Sequence, residues 1–150
     1  TENVAGIVGL SVALDLAVRD MKEESRRIGT LRARLQEGLI HRIPGVRFNE
    51  HPAERLPHIL SACFEGIDGE GVILHLDQEG IGVASGSACT SASREPSHVL
   101  AAMGIPRARA MSATRYSLGR SNDETQIDAA IDATQRAVER LRGITHRKEA

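Results

Sequence analysis

The sequence predicts an α+β fold, a small and largely antiparallel sheet with helices on one face, preceded by a long connecting helix. Three observations lead there. Apolar residues recur at helical spacing from Val4 to Leu39. Short runs of strand length follow at 46–48, 58–64 and 113–118. Amphipathic helical stretches lie between and after those runs, in the order helix, strand, strand, helix, strand, helix, strand, helix. With 150 residues the chain is long enough to bury a core of its own.

The opening helix is expected to start at Thr1 as N-cap, with Glu2 in the first turn. Its apolar positions are Val4, Ile7, Val8, Leu14, Val18, Met21, Ile28, Leu31, Leu35 and Leu39. Carried to residue 42 it would be roughly 60 Å long, so a break near Met21 is expected. Val4 to Val18 is apolar on nearly every face and needs cover on most sides. Arg19 to Arg42 is charged and amphipathic, with Glu23 and Arg27 spaced for an i,i+4 pair. The first half is therefore expected to pack on protein outside these residues. On this reading the sequence is an excerpt of a larger polypeptide. Residues 1–45 would be the connecting helix and 46–150 the small domain.

Ile43-Pro44-Gly45 stops the helix and turns the chain. Val46 to Phe48 is a short strand, Asn49 to Pro57 a loop, and His58 to Phe64 a buried strand. Asp68 caps the next helix, whose stripe is Val72, Ile73, Leu76 and Ile81, with Gly80 at its end. Ile81 to Ala84 is expected as a brief strand feeding a run of small residues, Ala84 to Ser93, with Cys89 in its middle. Glu95-Pro96-Ser97 opens a helix through Met103, closed by Gly104. Ala113 to Leu118 alternates as a strand does. Ser121 to Glu124 caps a final helix to about Leu141, and the tail from Gly143 is polar and expected to fray.

Composition narrows the function classes. The 19 basic and 20 acidic residues leave a net charge of −1, which argues against a nucleic-acid surface or a polybasic membrane patch. One Tyr, two Phe and no Trp leave no stacking platform for bases. No apolar run approaches a membrane span, and no secretory leader is evident. The two cysteines, Cys63 and Cys89, are too few for a disulfide framework and lack the spacing of a zinc site. A reducing, cytoplasmic setting is expected.

Cys89 is the chief chemical candidate. Nothing bulky near it can pin the segment to a core, so the thiol is free to be exposed, and exposure with a lowered pKa is what makes a thiol reactive. A plain surface loop with an incidental thiol fits the same composition. Cys63, among Ile59, Leu60, Ala62 and Phe64, reads as inert core. Arg115 sits in a half-buried strand and calls for an anion, either a structural carboxylate or the carboxylate of a ligand. Arg120 reads as a surface or cap residue. His98 follows the Cys89 loop and could serve it as a base or simply lie on a helix surface. The six histidines show no metal-pair spacing, and neither Lys22 nor Lys148 lies in an apolar niche that would suit a Schiff base.

Three runs carry a resemblance: Ser85-Gly86-Ser87-Ala88-Cys89-Thr90-Ser91, Glu95-Pro96-Ser97-His98-Val99-Leu100 and Arg115-Tyr116-Ser117-Leu118-Gly119-Arg120. With the opening Thr1-Glu2-Asn3, similar to the end of a G-T-x-N element, they resemble the cysteine desulfurases of the class-V aminotransferase family. The resemblance covers essentially the whole chain. It implies the small C-terminal domain of the aspartate-aminotransferase fold (fold type I) in a homodimeric pyridoxal-phosphate enzyme. That enzyme would convert L-cysteine to L-alanine, leave a persulfide on Cys89, and pass the sulfur to an iron–sulfur scaffold or another acceptor protein. By position Cys89 matches the attacking cysteine and Arg115 the arginine that holds the substrate carboxylate. Thr1 matches a threonine that reaches the cofactor phosphate of the opposite subunit. The family's cofactor lysine and ring-binding residues lie upstream of its G-T-x-N element and have no counterpart here, so the large cofactor domain is absent and these 150 residues alone are expected to be inactive. A non-catalytic sulfur-carrier or interaction module, or a relative acting on selenocysteine, would share the same motifs.

Overall fold

The computed structural model describes residues 1–51, 53–85 and 95–148, with side chains described through residue 144. Eight elements follow one another: α1 (Val4–Arg42), β1 (Val46–Phe48), β2 (Ile59–Phe64), α2 (Gly69–Gln78), α3 (His98–Ala102), α4 (Arg107–Met111), β3 (Ala113–Ser117) and α5 (Glu124–Lys148). The sheet has the order β1-β2-β3 with both pairings antiparallel.

α1 is capped by Asn3, not by Thr1. The Asn3 side chain accepts a hydrogen bond from the Gly6 amide at 2.9 Å, the usual way of satisfying a first-turn donor. The break expected near Met21 is absent, since the helix runs through 39 residues. Its ion pairs also fall one residue away from the expected spacing. Arg26 meets Glu23 and Arg27 meets Glu24, both i,i+3. Arg27 turns inward because it has other work: its guanidinium donates to the carbonyls of Asn122 and Arg120, both at 2.8 Å, tying α1 to the turn before α5. Gly45 ends the helix at φ +76°, a conformation glycine adopts without steric cost.

The core lies between the sheet and the three long helices. β2 turns Leu60, Ala62 and Phe64 to one side, and β3 adds Tyr116. Against them pack Leu31, Leu35 and Leu39 of α1, Val72 and Leu76 of α2, and Ile127, Ile131 and Val138 of α5. The expectation of helices on one face holds for these three. The short helices α3 and α4 stand on the opposite face, where Leu100, Ile105 and Ala110 cover Cys63 and Ala113. α4 itself is unforeseen in the sequence, because five residues reading Arg-Ala-Arg-Ala-Met carry no apolar period. Ile81 to Ala84 forms no strand, and only Ala84 makes a bridge, to Arg115. The tail from Gly143 continues α5 as far as Lys148.

Two close contacts fix how the helices seat. A Cβ on Gly69, at the start of α2, would come within 2.8 Å of the Ala113 carbonyl oxygen, and backbone cannot yield as a side chain can. The Tyr116 hydroxyl lies 3.0 Å from Thr134 Oγ1, and Thr134 spends its only proton on the Ala130 carbonyl at 2.7 Å. Tyr116 is therefore the donor. Its complete burial raises its pKa far more than the Thr134 contact lowers it.

Two outcomes are expected. Gly69→Ala should destabilise the protein by about 1–3 kcal/mol in denaturant unfolding, with the m-value unchanged. Stability should also fall as pH rises above the ordinary tyrosine value of 10.0, because there the unfolded chain releases the Tyr116 proton while the folded one keeps it. In Tyr116→Phe, denaturation measured from pH 9 to 11 should show part of that loss removed.

Candidate functional site

The face of the sheet opposite the main core carries Ser61, Cys63 and Arg115. Because side chains alternate along a strand, burying Leu60, Ala62 and Phe64 sends Ile59, Ser61 and Cys63 to the other side. The register then lines up a row across the sheet. Phe48 pairs with Ala62, so Asn49 continues opposite Ser61, and its amide donates to the Ser61 carbonyl at 2.9 Å. Ser61 pairs with Arg115, and Arg115 bridges to Ala84.

The Arg115 amide donates to the Ala84 carbonyl at 2.6 Å, and the Arg115 carbonyl accepts from the Ala84 amide at 3.1 Å. Both backbone groups of Arg115 thus face Ala84. Its pairing with Ser61 is therefore of the non-hydrogen-bonded kind, the closer of the two antiparallel spacings, with Cα atoms about 4.5 Å apart. Arg115 is half-buried, and its Nε is sealed from solvent with no hydrogen-bond partner among the described residues. A guanidinium nitrogen left so is costly unless an acceptor arrives to fill it.

Asn49 is 9% exposed and joins the row to the next one. Its Nδ2 donates to Ser61 Oγ at 3.2 Å and to Cys63 Sγ at 2.8 Å, while its Oδ1 is buried with no partner among the described residues. Cys63 is 2% exposed, as expected of core. Beyond it, between the sheet and α4, opens a cavity of about 580 Å³ whose lining includes Arg47, Cys63, Ile67, Arg109 and Ser112. Arg109 is held over it by a hydrogen bond from Nη2 to the Phe48 carbonyl at 2.9 Å.

The other expected residues are dispersed. Cys89 lies outside the described residues, and so does any pairing of it with Cys63. Its segment leaves the described chain at Ser85, directly after the residue bonded to Arg115. Thr1 is exposed at the far end of α1, about 40 Å of helix away from Ile28, where α1 joins the core. Within one chain the structure does not bring Thr1 and Arg115 together. His98 is exposed at the start of α3, and Arg120 is exposed with its carbonyl bonded to Arg27. Lys22 is exposed on α1. Among the described residues no group of three or more His, Cys, Asp or Glu side chains is placed to hold a metal, and no helix is long and apolar enough to cross a membrane. Asn49 and Ser61 are the residues the sequence did not single out. The signal for them was the alternation of β2, which makes Ser61 the one polar position on its face of that strand.

This three-stranded antiparallel sheet, backed by long helices, is an α+β architecture shared with solved NifS-like proteins. A solved NifS-like protein superposes with a TM-score of 0.79 at 31% identity, over 94% of this chain and 35% of that one. The crystal structure of the Escherichia coli cysteine desulfurase CsdA, as its S-sulfonic acid, gives a TM-score of 0.65 at 26% identity, over 94% and 32%. The family model for class-V aminotransferases matches residues 1–130, and the chain belongs to that family. Among curated relatives, a cysteine desulfurase of Gluconacetobacter diazotrophicus is 43% identical over 142 residues, 95% of this chain and 36% of the relative. The cysteine desulfurase IscS of Methanosarcina thermophila is 43% identical over 145 residues, 97% of this chain and 36% of the relative. The chain spans a little over a third of the length of these relatives.

Proposed function

We propose that this chain is the cysteine-bearing small C-terminal domain of a pyridoxal-phosphate-dependent cysteine desulfurase. The observation that carries the reading is Arg115, whose buried Nε has no hydrogen-bond partner among the described residues and whose backbone is bonded to Ala84, one residue before Ser85, where the described chain stops short of Cys89. That arrangement supports a carboxylate grip at Arg115, bonded to Ala84 shortly before the Cys89 segment in sequence. The 43% identity to cysteine desulfurases supports the same assignment.

The described residues fit the substrate side of such a site and not the cofactor's covalent attachment. Lys22 is exposed, and Thr1 offers only a hydroxyl for a phosphate. Pyridoxal phosphate would be held by polypeptide beyond these residues, and when bound it supplies the electron sink at the amino acid's α-carbon. The distance between Thr1 and the sheet fits a phosphate contact in the opposite subunit of a homodimer. Residues 1–45 would then connect the large domain to residues 46–150. Val4, Ile7, Val8, Leu10, Leu14 and Val18 are each more than half exposed. A face of that kind is covered in a finished protein.

Arg115 takes the carboxylate of L-cysteine in its planar fork and orients the substrate from a rigid strand. Cys89, as thiolate, attacks the substrate sulfur. The carbon–sulfur bond breaks, the carbon gains a proton, and the sulfur stays on Cys89. L-cysteine and a thiol thus become L-alanine and a persulfide, with carbon reduced as sulfur is oxidised and no outside oxidant required. An iron–sulfur scaffold or another acceptor protein, in a reducing cytoplasm, would take the sulfur.

In the complete protein, Cys89→Ser should abolish persulfide formation by mass spectrometry and alanine release from L-cysteine, and full turnover in that variant would overturn the reading. Arg115→Ala should raise KM for L-cysteine about 10- to 100-fold, the effect of losing charge-assisted hydrogen bonds. Leu10→Arg should lower the melting temperature of the complete protein by several degrees, since a truly exposed site would tolerate the change within about 0.5 kcal/mol.

A further inference from the structure

We propose that Ser61 is a second donor to the substrate carboxylate held by Arg115, and that Asn49 positions it. The inference rests on the desulfurase reading above and adds two residues to its substrate site. Ser61 and Arg115 are cross-strand neighbours in the close kind of pair, on the face away from the main core. Ser61 is half-buried. Asn49 Nδ2 fills an acceptor position on Ser61 Oγ, which leaves the hydroxyl proton to be given elsewhere.

A carboxylate has two oxygens with about four acceptor positions, more than one guanidinium fork uses. An acceptor taken by Arg115 therefore has lone pairs left over for the residue paired with it on β2. The other β2 side chains on this face, Ile59 and Cys63, cannot answer it as a hydroxyl can. Asn49 is well placed to fix Ser61. Its backbone amide is bonded to the Ser61 carbonyl, its side chain spans Ser61 and Cys63, and it is nine-tenths buried. The buried Asn49 Oδ1, like Arg115 Nε, has no partner among the described residues. Two unfilled polar atoms, an acceptor and a donor, thus flank Ser61 in one row. The ligand group that suits the Arg115 guanidinium and the Ser61 hydroxyl together is a carboxylate.

The test uses the holoenzyme that contains this chain. Ser61→Ala should raise KM for L-cysteine about 5- to 10-fold with kcat within twofold, the signature of one lost hydrogen bond to a charged group in ground state and transition state alike. Equilibrium binding of L-alanine, measured by calorimetry, should weaken by the same factor, whereas cysteamine, which lacks the carboxylate, should bind the variant and the parent equally. Ser61→Thr should restore the parent's values. Asn49→Ala should weaken L-alanine binding by less than Ser61→Ala does, and should add nothing in the double variant. If Ser61→Ala does not fold, Ser61→Gly takes its place with the same criteria. Unchanged KM and L-alanine affinity in a folded variant, with the parent active on L-cysteine, would overturn the inference alone. A parent that neither binds nor turns over L-cysteine would overturn the desulfurase reading with it.

Discussion

The pairing of β2 with β3 governs the rest of the molecule. Five residue pairs, from Ile59 with Ser117 to Cys63 with Ala113, set which side chains face the long helices and which face away. In this register Leu60, Phe64 and Tyr116 enter the core and Ser61 and Arg115 leave it. A slip of one residue along β2 would send Ser61 and Cys63 toward α1 and α5 and strip Leu60 and Phe64 of their cover. At about 25 cal/mol per Å² of apolar surface, no polar contact on the far face could compensate for that. The hydrophobic alternation of one strand thereby holds the arginine of the opposite face in place.

Arginine side chains then lock the loops to this frame. Arg32, 3% exposed, pairs with Glu50, donates from Nε to the Ile59 carbonyl at 2.7 Å and from Nη1 to Gln36 at 3.1 Å. Burial, and then the nearby charge of Arg55, lower its hold on its proton. Gln36 in turn donates to Glu50 at 2.9 Å, so the carboxylate at the start of the long β1–β2 loop is gripped from α1. Glu50 directly follows Asn49, and the same grip steadies the residue that meets Ser61. Arg34 and Asp128 add a two-bond contact, both at 2.8 Å, between α1 and α5, but it lies at the surface, where such pairs contribute little.

What could be foreseen from the sequence divides along physical lines. Strands β2 and β3 and helices α2 and α5 were legible because period and caps agree: Asp68 does accept from the Glu70 amide, as its place before an apolar stripe suggests. The α1 cap was misplaced because Thr1 and Asn3 are both good caps, and only the backbone decides between them. The break in α1 was inferred from a length a small domain cannot clothe, yet the helix persists with its first half bare. α4 is too short to show a period, and Ala84 pairs as a single residue, below what alternation can reveal. Of the three site residues named from motifs, Cys89 lies outside the described residues and Thr1 stands exposed at the far end of α1. Arg115 is placed in the middle of β3, as the alternation of its strand requires. The place of Asn49 opposite Ser61, which no motif named, depends on pairing between segments of chain separated by a loop, which no local pattern encodes.

The uninterrupted course of α1 has a mechanical consequence. Its last turns are interlocked with the sheet through Leu31, Leu35 and Leu39, and its Gly38 lies against Ile131 so closely that a methyl group there would collide with it. Its first five turns stand clear of that assembly. With no kink between the two, the helix behaves as a stiff lever arm: a body clasping the free end dictates the heading of the sheet at the other, and any reorientation of the sheet must pivot outside the rod and not along it.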